Sequence, residues 1–344
     1  MPTSPGIVPA LPTRSAAGMS SEPQRSALVT GAGGFAGQWL CRHLIRCGWR
    51  VTGAAIDGEP VGSVALSATE RASVTWLRAD LRDGQAVRAS VDAARPDAVF
   101  HLAGVSSIPA AGKDPFAALN ANAGIAVQLL DAVRQRRAAQ KVDPVVLIVG
   151  SAEQYGVHDA TELPLAETAE CRPQTFYGAS KLAQEVLALA AFREDGVRTV
   201  CTRSFNHSGY GQNAAFLIPA LVTRAMALRT SASPTLELGA LHPVRDFLHV
   251  EDAIAAYVAL VERGAPGEVY NVASGQGASV GDLAREVLAA CGVEAQLSSV
   301  APLVRRTEVP VLVGRNDKLR SATGWAPTRT RADIIHDLIH AATH

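Results

Sequence analysis

The chain has 344 residues, of which 48% are hydrophobic and 19% are charged, and its formal net charge at pH 7 is zero. This length allows one large α/β unit or two coupled domains. Because there is no basic excess, binding to nucleic acid through phosphate neutralisation is not indicated.

The cysteines and the N-terminal segment indicate the compartment. The five cysteines are an odd number without C-x-x-C spacing, which is typical of reduced thiols in a cytoplasmic protein and indicates neither a disulfide framework nor a metal site. Residues 1–24 are rich in Pro, Ser, Thr and Ala and have no apolar core of a signal peptide, so we expect a flexible leader outside the fold. No apolar stretch approaches the ~18 to 20 residues of a membrane span. The sequence therefore predicts a cytoplasmic protein without membrane contact.

The first predicted strand, residues 27–29, leads into a glycine-rich turn and a helix predicted over 36–47. The backbone N–H groups and the helix dipole at such a turn face an anion, and the missing side chains let a pyrophosphate approach. Glycine turns are common, but the position directly after the first strand favours a dinucleotide site. The residues of this predicted site are Gly31, Gly34, Phe35, Ala36 and Gly37.

Strand and helix signals continue to alternate along the chain. Strands are predicted at 50–55, 74–78, 98–102 and 145–149, and helices at 83–94 and 115–137. Short apolar runs suit strands buried on both faces, so the pattern predicts an α/β fold with a Rossmann-type doubly wound parallel sheet. Further helices are predicted at 177–194, 217–229, 250–263 and 280–290, and short strands at 235–238 and 268–272.

This alternation also predicts the domain organisation. We expect a dinucleotide-binding domain with the catalytic residues over 25–205. A smaller C-terminal substrate-binding lobe, which includes the short strands, is expected mainly over 206–344, and the chain is expected to cross between the two.

A serine, a tyrosine and a lysine form the second chemical motif. Ser151 follows the strand predicted at 145–149, at the strand end where ligands bind in open α/β sheets. Tyr177 and Lys181 lie four residues apart, on one face at the start of a helix. A free phenol has a pKa of about 10, which a nearby ammonium lowers. With a serine to hold the reacting oxygen, the trio suits a carbonyl or alcohol that exchanges a hydride; otherwise Tyr177 caps a helix and Lys181 is a solvated surface residue.

The glycine turn and the trio together resemble the extended short-chain dehydrogenases/reductases that act on sugar nucleotides, over about residues 26–340. Further motifs resemble the GDP-6-deoxy-4-keto-D-mannose reductases: GSAEQYG at 150–156, RSFNH at 203–207, VRDF at 244–247, EVP at 308–310 and ATGW at 322–325. The resemblance implies NAD(P)H-dependent reduction of the C4 ketone of GDP-4-keto-6-deoxy-D-mannose to GDP-D-rhamnose. Tyr177 would protonate the C4 oxygen, and Lys181 would also hold the nicotinamide ribose.

The resemblance also implies two further sets of site residues. Cofactor contacts fall on Asp57, Asp80, Leu81, Leu102 and Ala103, beside Tyr177 and Lys181. Substrate contacts fall on Ser106, Ser151, Glu153, Asn206, Arg224, Arg245, Arg305 and Glu308. Guanidinium forks match phosphate oxygens, and carboxylates accept hydrogen bonds from ribose hydroxyls. Structural alternatives are an Arg245–Asp246 ion pair, a turn residue at Asn206 and a solvated charge at Glu308. Gly104 departs mildly from the alanine that is usual after Ala103.

Asp57 bears on the choice of cofactor. It follows the strand predicted at 50–55, where NAD binders place an acidic residue and NADP binders usually place an arginine. A carboxylate beside the 2′-phosphate of NADP costs electrostatic energy, so the sequence favours NAD(H). NADP(H) stays open, because Asp57 could point into solvent and Arg78 or Arg82 could supply the positive charge.

Glu153 and Ser151 bear on the choice of reaction. In the similar GDP-mannose 4,6-dehydratases, a glutamate two residues after the strand-end hydroxyl moves the C5 proton, but similar reductases keep this glutamate too. Those dehydratases usually have threonine where this chain has Ser151, which favours the reductase. The dehydratase is the alternative, and a non-catalytic dinucleotide-sensing protein is a remote one that the intact trio argues against.

The helices predicted at 115–137 and 177–194 carry apolar residues around much of their girth. Helices that are apolar beyond one stripe are often covered by another element. Proteins that resemble this one pair these two helices in a four-helix bundle, so we expect a homodimer.

Overall fold

The computed structural model describes residues 24–62, 64–139, 143–300 and 308–343. The strands in these ranges are β1 (Ser26–Thr30), β2 (Arg50–Ala55), β3 (Val74–Arg78), β4 (Ala98–His101), β5 (Val145–Val149), β6 (Thr199–Ser204), β7 (Asn206–Ser208), β8 (Thr235–Leu238), β9 (Val244–His249), β10 (Val269–Val272), β11 (Gly277–Ser279), β12 (Gln296–Ser299) and β13 (Val311–Leu312). The α-helices are α1 (Phe35–Arg46), α2 (Ala68–Ala72), α3 (Gly84–Ala94), α4 (Ile108–Lys113), α5 (Pro115–Leu119), α6 (Ile125–Ala138), α7 (Phe176–Asp195), α8 (Leu217–Leu228), α9 (Val250–Arg263), α10 (Val280–Ala290), α11 (Asp317–Thr323) and α12 (Arg331–Thr343).

The main sheet has seven strands in the order β10-β6-β5-β4-β1-β2-β3, and every neighbouring pair is parallel. The strand order reverses at β1, which lies between β2 and β4. Such a reversal opens a crevice at the carboxyl ends of the strands, and ligands bind there in open α/β sheets. The predicted doubly wound parallel sheet is therefore confirmed.

Helices cover both faces of this sheet because successive strand residues point to opposite sides. On β1, Leu28 packs into a cluster with residues of α3, α6 and α7. Its neighbour Val29 packs into a second cluster with residues of α1 and α9. Both side chains are fully buried, as the continuous apolar run predicts.

Two strands of the main sheet differ from the sequence prediction. No strand was predicted at β6, whose buried residues include Thr202 and Arg203 and lack the apolar run of its neighbours. The strand predicted at 268–272 was placed in the smaller lobe, but β10 is the edge strand of the main sheet and pairs with β6. A short segment of mixed polarity gives no local signal of which sheet it joins. The chain therefore returns to the main sheet after residue 206, and the domain division at 205 stays a prediction.

A smaller layer forms beside the main sheet. Strands β7, β9, β11 and β13 form one mixed sheet, and β8 pairs with β12. Helices α8, α10 and α12 contribute to a third apolar cluster with β8. A single residue separates the end of β6 from the start of β7, so the smaller layer adjoins the carboxyl edge of the main sheet.

The helix predicted at 115–137 contains a π-helical segment, Asn120–Gly124, between α5 and α6. Asn122 in this segment is fully buried, accepts from the Val105 N–H (2.9 Å) and donates to the Ser180 hydroxyl (2.8 Å). Contrary to the expectation from sequence, the whole helix Pro115–Ala138 is long and apolar enough to cross a bilayer by length and composition, with 50% of its most apolar window buried inside the protein. Core helices of soluble proteins also meet this criterion.

Candidate active site

The turn after β1 leaves a helix N-terminus open. Helix α1 begins at Phe35, its N-cap is Gly34, and no side chain caps it. Gly31 has φ +70°, a left-handed conformation that favours glycine. A Cβ on Gly37 would lie 2.1 Å from the Gly31 carbonyl oxygen, so the turn and α1 lie too close together for a side chain at Gly37. The first-turn N–H groups of an uncapped helix are free to bind an anion. These residues therefore fit the pyrophosphate of a dinucleotide.

The predicted catalytic residues lie at the same sheet edge as this turn. Thr30 on β1 is in register with His101 on β4, which is in register with Ile148 on β5. Neighbouring strands lie about 4.8 Å apart, so the ends of β1 and β5 are separated by about 10 Å. Ser151 follows β5 directly. The glycine turn and Ser151 therefore open onto one crevice.

The Ser151 and Tyr177 side chains lie close enough for the Ser151 hydroxyl to lower the pKa of the Tyr177 phenol. Tyr177 lies in the first turn of α7, whose N-cap is Thr175: its hydroxyl accepts from the Gly178 N–H at 3.0 Å. The alternative that Tyr177 caps the helix is therefore wrong. The alternative that Lys181 is a solvated surface residue is also wrong, because only 5% of its surface is exposed.

The pKa of the Tyr177 phenol differs from the sequence expectation. Burial and the nearby Glu153 carboxylate raise this pKa to about 12, against the hydrogen bond from Ser151 that lowers it. This net direction is opposite to the lowering that the sequence predicts. The phenol is consequently protonated at neutral pH and can act as a proton donor.

The Lys181 ammonium is hydrogen-bonded to Val149 and Gln184 rather than to Tyr177. It donates to the Val149 carbonyl oxygen at 2.9 Å and to Gln184 Oε1 at 3.0 Å. Burial lowers the pKa of Lys181 to about 8. The contact with Gln184 was not predicted, although its spacing of three residues from Lys181 on a helix indicates it.

Glu153 lies beside this pair. It is half-buried, its backbone N–H donates to the Ser151 hydroxyl oxygen at 3.2 Å, and its charge raises the pKa of Tyr177. The structure thus brings together Ser151, Tyr177 and Glu153, with Lys181 one helical turn further along α7.

The predicted cofactor residues occupy the ends of β2, β3 and β4. Asp57 is exposed in the turn after β2, and no cation pairs with it among the residues that the structure describes. Asp80 binds Arg82 at 2.6 Å, and this hydrogen-bonded pair lowers the pKa of the Asp80 carboxyl to about 2. Arg82 is therefore engaged, whereas Arg78 is exposed at the end of β3, in register with Ala55. Leu81 is buried next to Asp80.

The loop after β4 approaches the glycine turn. The Ala103 N–H donates to the Thr30 hydroxyl oxygen at 3.2 Å, and Leu102 and Ala103 are half-buried. Gly104 has φ +149°, and a Cβ there would lie 2.2 Å from Asn122 Oδ1. The departure from alanine at Gly104 is therefore required by the close approach of Asn122.

Comparisons with known proteins agree with this geometry. A family model described as GDP-mannose 4,6 dehydratase matches residues 28–338. The chain belongs to this family of extended short-chain dehydrogenases/reductases. GDP-6-deoxy-D-mannose reductase from Pseudomonas aeruginosa is 34% identical over 236 residues, which cover 68% of this chain and 76% of that protein. UDP-glucose 4-epimerase from Streptomyces lividans is 27% identical over 330 residues, covering 90% of this chain and 94% of that protein. The structure of RMD from Pseudomonas aeruginosa complexed with NADPH is similar with a TM-score of 0.76 at 28% identity, covering 93% of this chain and all of that one (100%).

Three of the residues that this family resemblance assigned to substrate lie in the smaller layer: Asn206, Arg224 and Arg245. Arg245 on β9 donates to Glu308 Oε1 at 2.7 Å. The alternative Arg245–Asp246 ion pair is not formed: buried Asp246 accepts from Ser274 N–H and hydroxyl groups at 2.8 and 2.6 Å. Asn206 is exposed on β7 and donates to the Asp246 carbonyl oxygen, so it belongs to a strand rather than a turn.

The resemblance also assigned Ser106, Arg224 and Arg305 to substrate. Ser106 is exposed in the loop between β4 and α4. Arg224 on α8 donates to the Glu237 carbonyl oxygen on β8, within the smaller layer. Arg305 lies outside the described residues.

His207 on β7 contacts Phe35, the first residue of α1, next to the glycine turn. Its ring stacks on Phe35, with ring centroids 6.3 Å apart and an interplanar angle of 10°. Burial lowers the pKa of His207, so the ring is neutral at physiological pH. The stacked, neutral ring makes His207 a packing residue rather than a base.

Proposed function

We propose that this protein reduces the C4 ketone of GDP-4-keto-6-deoxy-D-mannose to GDP-D-rhamnose with NAD(P)H. The observation that carries the proposal is the proximity of the Ser151 and Tyr177 hydroxyls at the sheet edge that also carries the uncapped N-terminus of α1. The substrate class is supported by the relative named GDP-6-deoxy-D-mannose reductase.

The chain supplies the proton and the orientation for this reaction. NAD(P)H, when bound, supplies the hydride that reaches C4 of the sugar. The Tyr177 phenol donates its proton to the C4 oxygen, so that the ketone becomes a secondary alcohol and Tyr177 becomes a phenolate. The Ser151 hydroxyl holds that oxygen against Tyr177, and the Lys181 ammonium stabilises the phenolate until a solvent proton restores the phenol.

A spectrophotometric assay tests the proposal. We expect dihydronicotinamide absorbance to fall when GDP-4-keto-6-deoxy-D-mannose is added and to stay constant with GDP-mannose alone. Conversion of GDP-mannose without net cofactor oxidation would instead establish the 4,6-dehydratase. That second candidate is favoured by Glu153, whose charge lies close enough to Tyr177 to raise the phenol's pKa.

The rate should depend on pH through Lys181. Its pKa is lowered to about 8 by burial, so it carries its charge below that pH and loses it above. Because the cation stabilises the Tyr177 phenolate, we expect kcat/KM to fall as pH rises through about 8. In Lys181→Arg the charge persists to a pH of about 12, so the falling limb should move upward. The same limb in Lys181→Arg would assign it to another group.

We further propose that the enzyme favours NAD(H), on the strength of the exposed Asp57 at the end of β2. A relative bound to NADPH shows that both cofactors must be compared. We expect a higher kcat/KM with NADH than with NADPH, and about a tenfold gain for NADPH in Asp57→Asn. Glu59→Gln, an exposed carboxylate in the same loop that pairs with Arg71, is the control and should leave the ratio unchanged. A wild-type preference for NADPH that Asp57→Asn does not alter would refute the role of Asp57.

We also propose a cytoplasmic homodimer that pairs α6 and α7 with their copies in a four-helix bundle. All five cysteines are free thiols, which suits a reducing compartment. Exposed apolar side chains concentrate on these two helices and on α5, which precedes α6: Phe116 (79% exposed) and Leu119 on α5, Val127 on α6, and Phe176 (61%), Val186 and Leu187 on α7. Apolar surface of this kind marks an interface.

Sedimentation tests the dimer. We expect a dimer at micromolar concentration for the wild type, and a monomer for Val186→Glu because a charge would be buried without a partner. Val157→Glu changes a similarly exposed valine outside these helices and should remain dimeric. A monomeric wild type would contradict the proposal.

A further inference from the structure

A buried polar chain leads from the backbone of Ser151 to an ion pair between α7 and β6. The Ser151 N–H donates to Gln154 Oε1 at 2.8 Å, and Gln154 Nε2 donates to Glu185 Oε2 at 2.7 Å. Arg203 donates through Nε and Nη2 to both carboxylate oxygens of Glu185, at 3.0 and 2.8 Å. The exposed fractions of Gln154, Glu185 and Arg203 are 0%, 4% and 7%. Solvent therefore offers these groups no alternative partners.

The charges in this chain fix the direction of every hydrogen bond. A guanidinium only donates and an ionised carboxylate only accepts, so Glu185 can accept from the Gln154 amide NH₂ but cannot donate to it. Gln154 must then turn its Oε1 towards the Ser151 N–H. A flipped amide would place NH₂ against N–H and would leave the carboxylate facing an oxygen.

The ion pair is itself firmly held. Burial opposes the charge on Arg203, but its hydrogen bonds to Glu185 raise the pKa of the guanidinium, which stays cationic. Arg203 also donates through Nη1 to the Glu167 carbonyl oxygen at 3.1 Å and lies 4.7 Å from the centre of the Tyr155 ring. The orientation that it imposes on Glu185 is therefore stable.

We propose that Gln154, oriented by the Glu185–Arg203 ion pair, is a positioning residue for Ser151. Its Oε1 fixes the Ser151 backbone, which is extended at φ −146° and ψ 145°, and so aims the Ser151 hydroxyl at Tyr177. This inference rests on the proposed function, because a positioned Ser151 hydroxyl matters for a substrate oxygen held against Tyr177. Glu185 and Arg203 touch no reacting atom and act only through Gln154.

Gln154→Met keeps the side-chain length and removes both hydrogen bonds. We expect kcat to fall about 10- to 100-fold, as for a misplaced reacting group, while the Kd for NAD(P)H stays within about twofold. Tyr270→Phe is the matched control: it removes one hydrogen bond of a buried tyrosine, from the Ala265 N–H to the Tyr270 hydroxyl at 3.0 Å, outside the Gln154–Glu185–Arg203 chain. Equal thermal destabilisation of both variants with unchanged kcat in both would overturn the proposal.

A charge exchange provides a rescue. Gln154→Glu places two carboxylates next to each other. Glu185→Gln places either an amide NH₂ or a weaker, neutral acceptor against Arg203. Each variant alone should therefore lower kcat at least about tenfold. In Gln154→Glu/Glu185→Gln the amide at 185 donates to the carboxylate at 154 and accepts from Arg203, and the carboxylate still accepts from the Ser151 N–H. We expect kcat of the double variant to recover to within about threefold of wild type. Independent losses that multiply would overturn the proposal.

Hydrogen exchange separates this inference from the proposed function. Exchange of the Ser151 amide should accelerate in Gln154→Met and stay at the wild-type rate in Tyr270→Phe, whatever the substrate is. A wild-type enzyme that fails to oxidise NAD(P)H with the keto sugar would contradict the proposed function alone. Unchanged protection of Ser151 in Gln154→Met would overturn the positioning role even if the enzyme is an active reductase.

Discussion

Tyr177→Phe is expected to lower the rate of NAD(P)H oxidation with GDP-4-keto-6-deoxy-D-mannose about 10²- to 10⁴-fold, the usual size of general acid–base catalysis. The phenol is the proton donor at the site, since burial and Glu153 raise its pKa to about 12 and keep it protonated at neutral pH. Phenylalanine keeps the ring and removes the proton. Single-turnover absorbance measurements at saturating cofactor would report the loss directly.

The control for this variant is Tyr270→Phe. Tyr270 is buried on β10, and its hydroxyl accepts from the Ala265 N–H at 3.0 Å, away from the trio. It should change stability modestly and leave kcat within about twofold, since only one buried hydrogen bond is lost. If Tyr177→Phe retained the wild-type rate, the phenol would not be the proton donor, and a sensor without catalysis would become the better account.

Gly37→Ala is expected to raise the Kd for NAD(P)H at least about 100-fold, or about 2.8 kcal/mol. The new methyl carbon would lie 2.1 Å from the Gly31 carbonyl oxygen and 2.8 Å from Ala32 Cα, both in the backbone. Neither can move without separating the turn from α1, which displaces the N–H groups proposed to bind the pyrophosphate. Fluorescence titration with the reduced cofactor measures the affinity.

Gly112→Ala is the matched control for the glycine turn. A Cβ at Gly112 in α4 would meet no atom within 4 Å, so cofactor affinity and thermal stability should be unchanged or slightly improved. Tight NAD(P)H binding by a folded Gly37→Ala variant would show that the dinucleotide does not bind at this turn.

The parts of the fold predicted best are those with strong local patterns. Strands β2, β3 and β5 have the predicted bounds because each is a short apolar run bounded by polar or turn residues. Helices α9 and α10 also have the predicted bounds, since their apolar residues follow a helical period. Strand β6 was missed because Thr202, Arg203 and Ser204 are polar, although hydrogen bonds inside the protein satisfy all three.

At the site, the sequence identified residue types better than their electrostatics. Ser151 and Tyr177 were predicted as partners, and the Ser151 hydroxyl lies close enough to lower the pKa of Tyr177. The direction of the Tyr177 pKa shift was wrong because it depends on burial and on where Glu153 and Lys181 point, which spacing along the chain does not determine. The contact of Gln154 with Glu185 joins residues 31 positions apart and has no local signal either.

The most direct test of the account follows the hydride. The enzyme is given GDP-4-keto-6-deoxy-D-mannose and NAD(P)H that carries deuterium at both C4 positions of the dihydronicotinamide, and the product is examined by NMR. We expect one deuterium at C4 of the sugar for each cofactor oxidised, and none in Tyr177→Phe on the same timescale. A product without deuterium at C4, or GDP-mannose consumed while the cofactor stays reduced, would contradict the account.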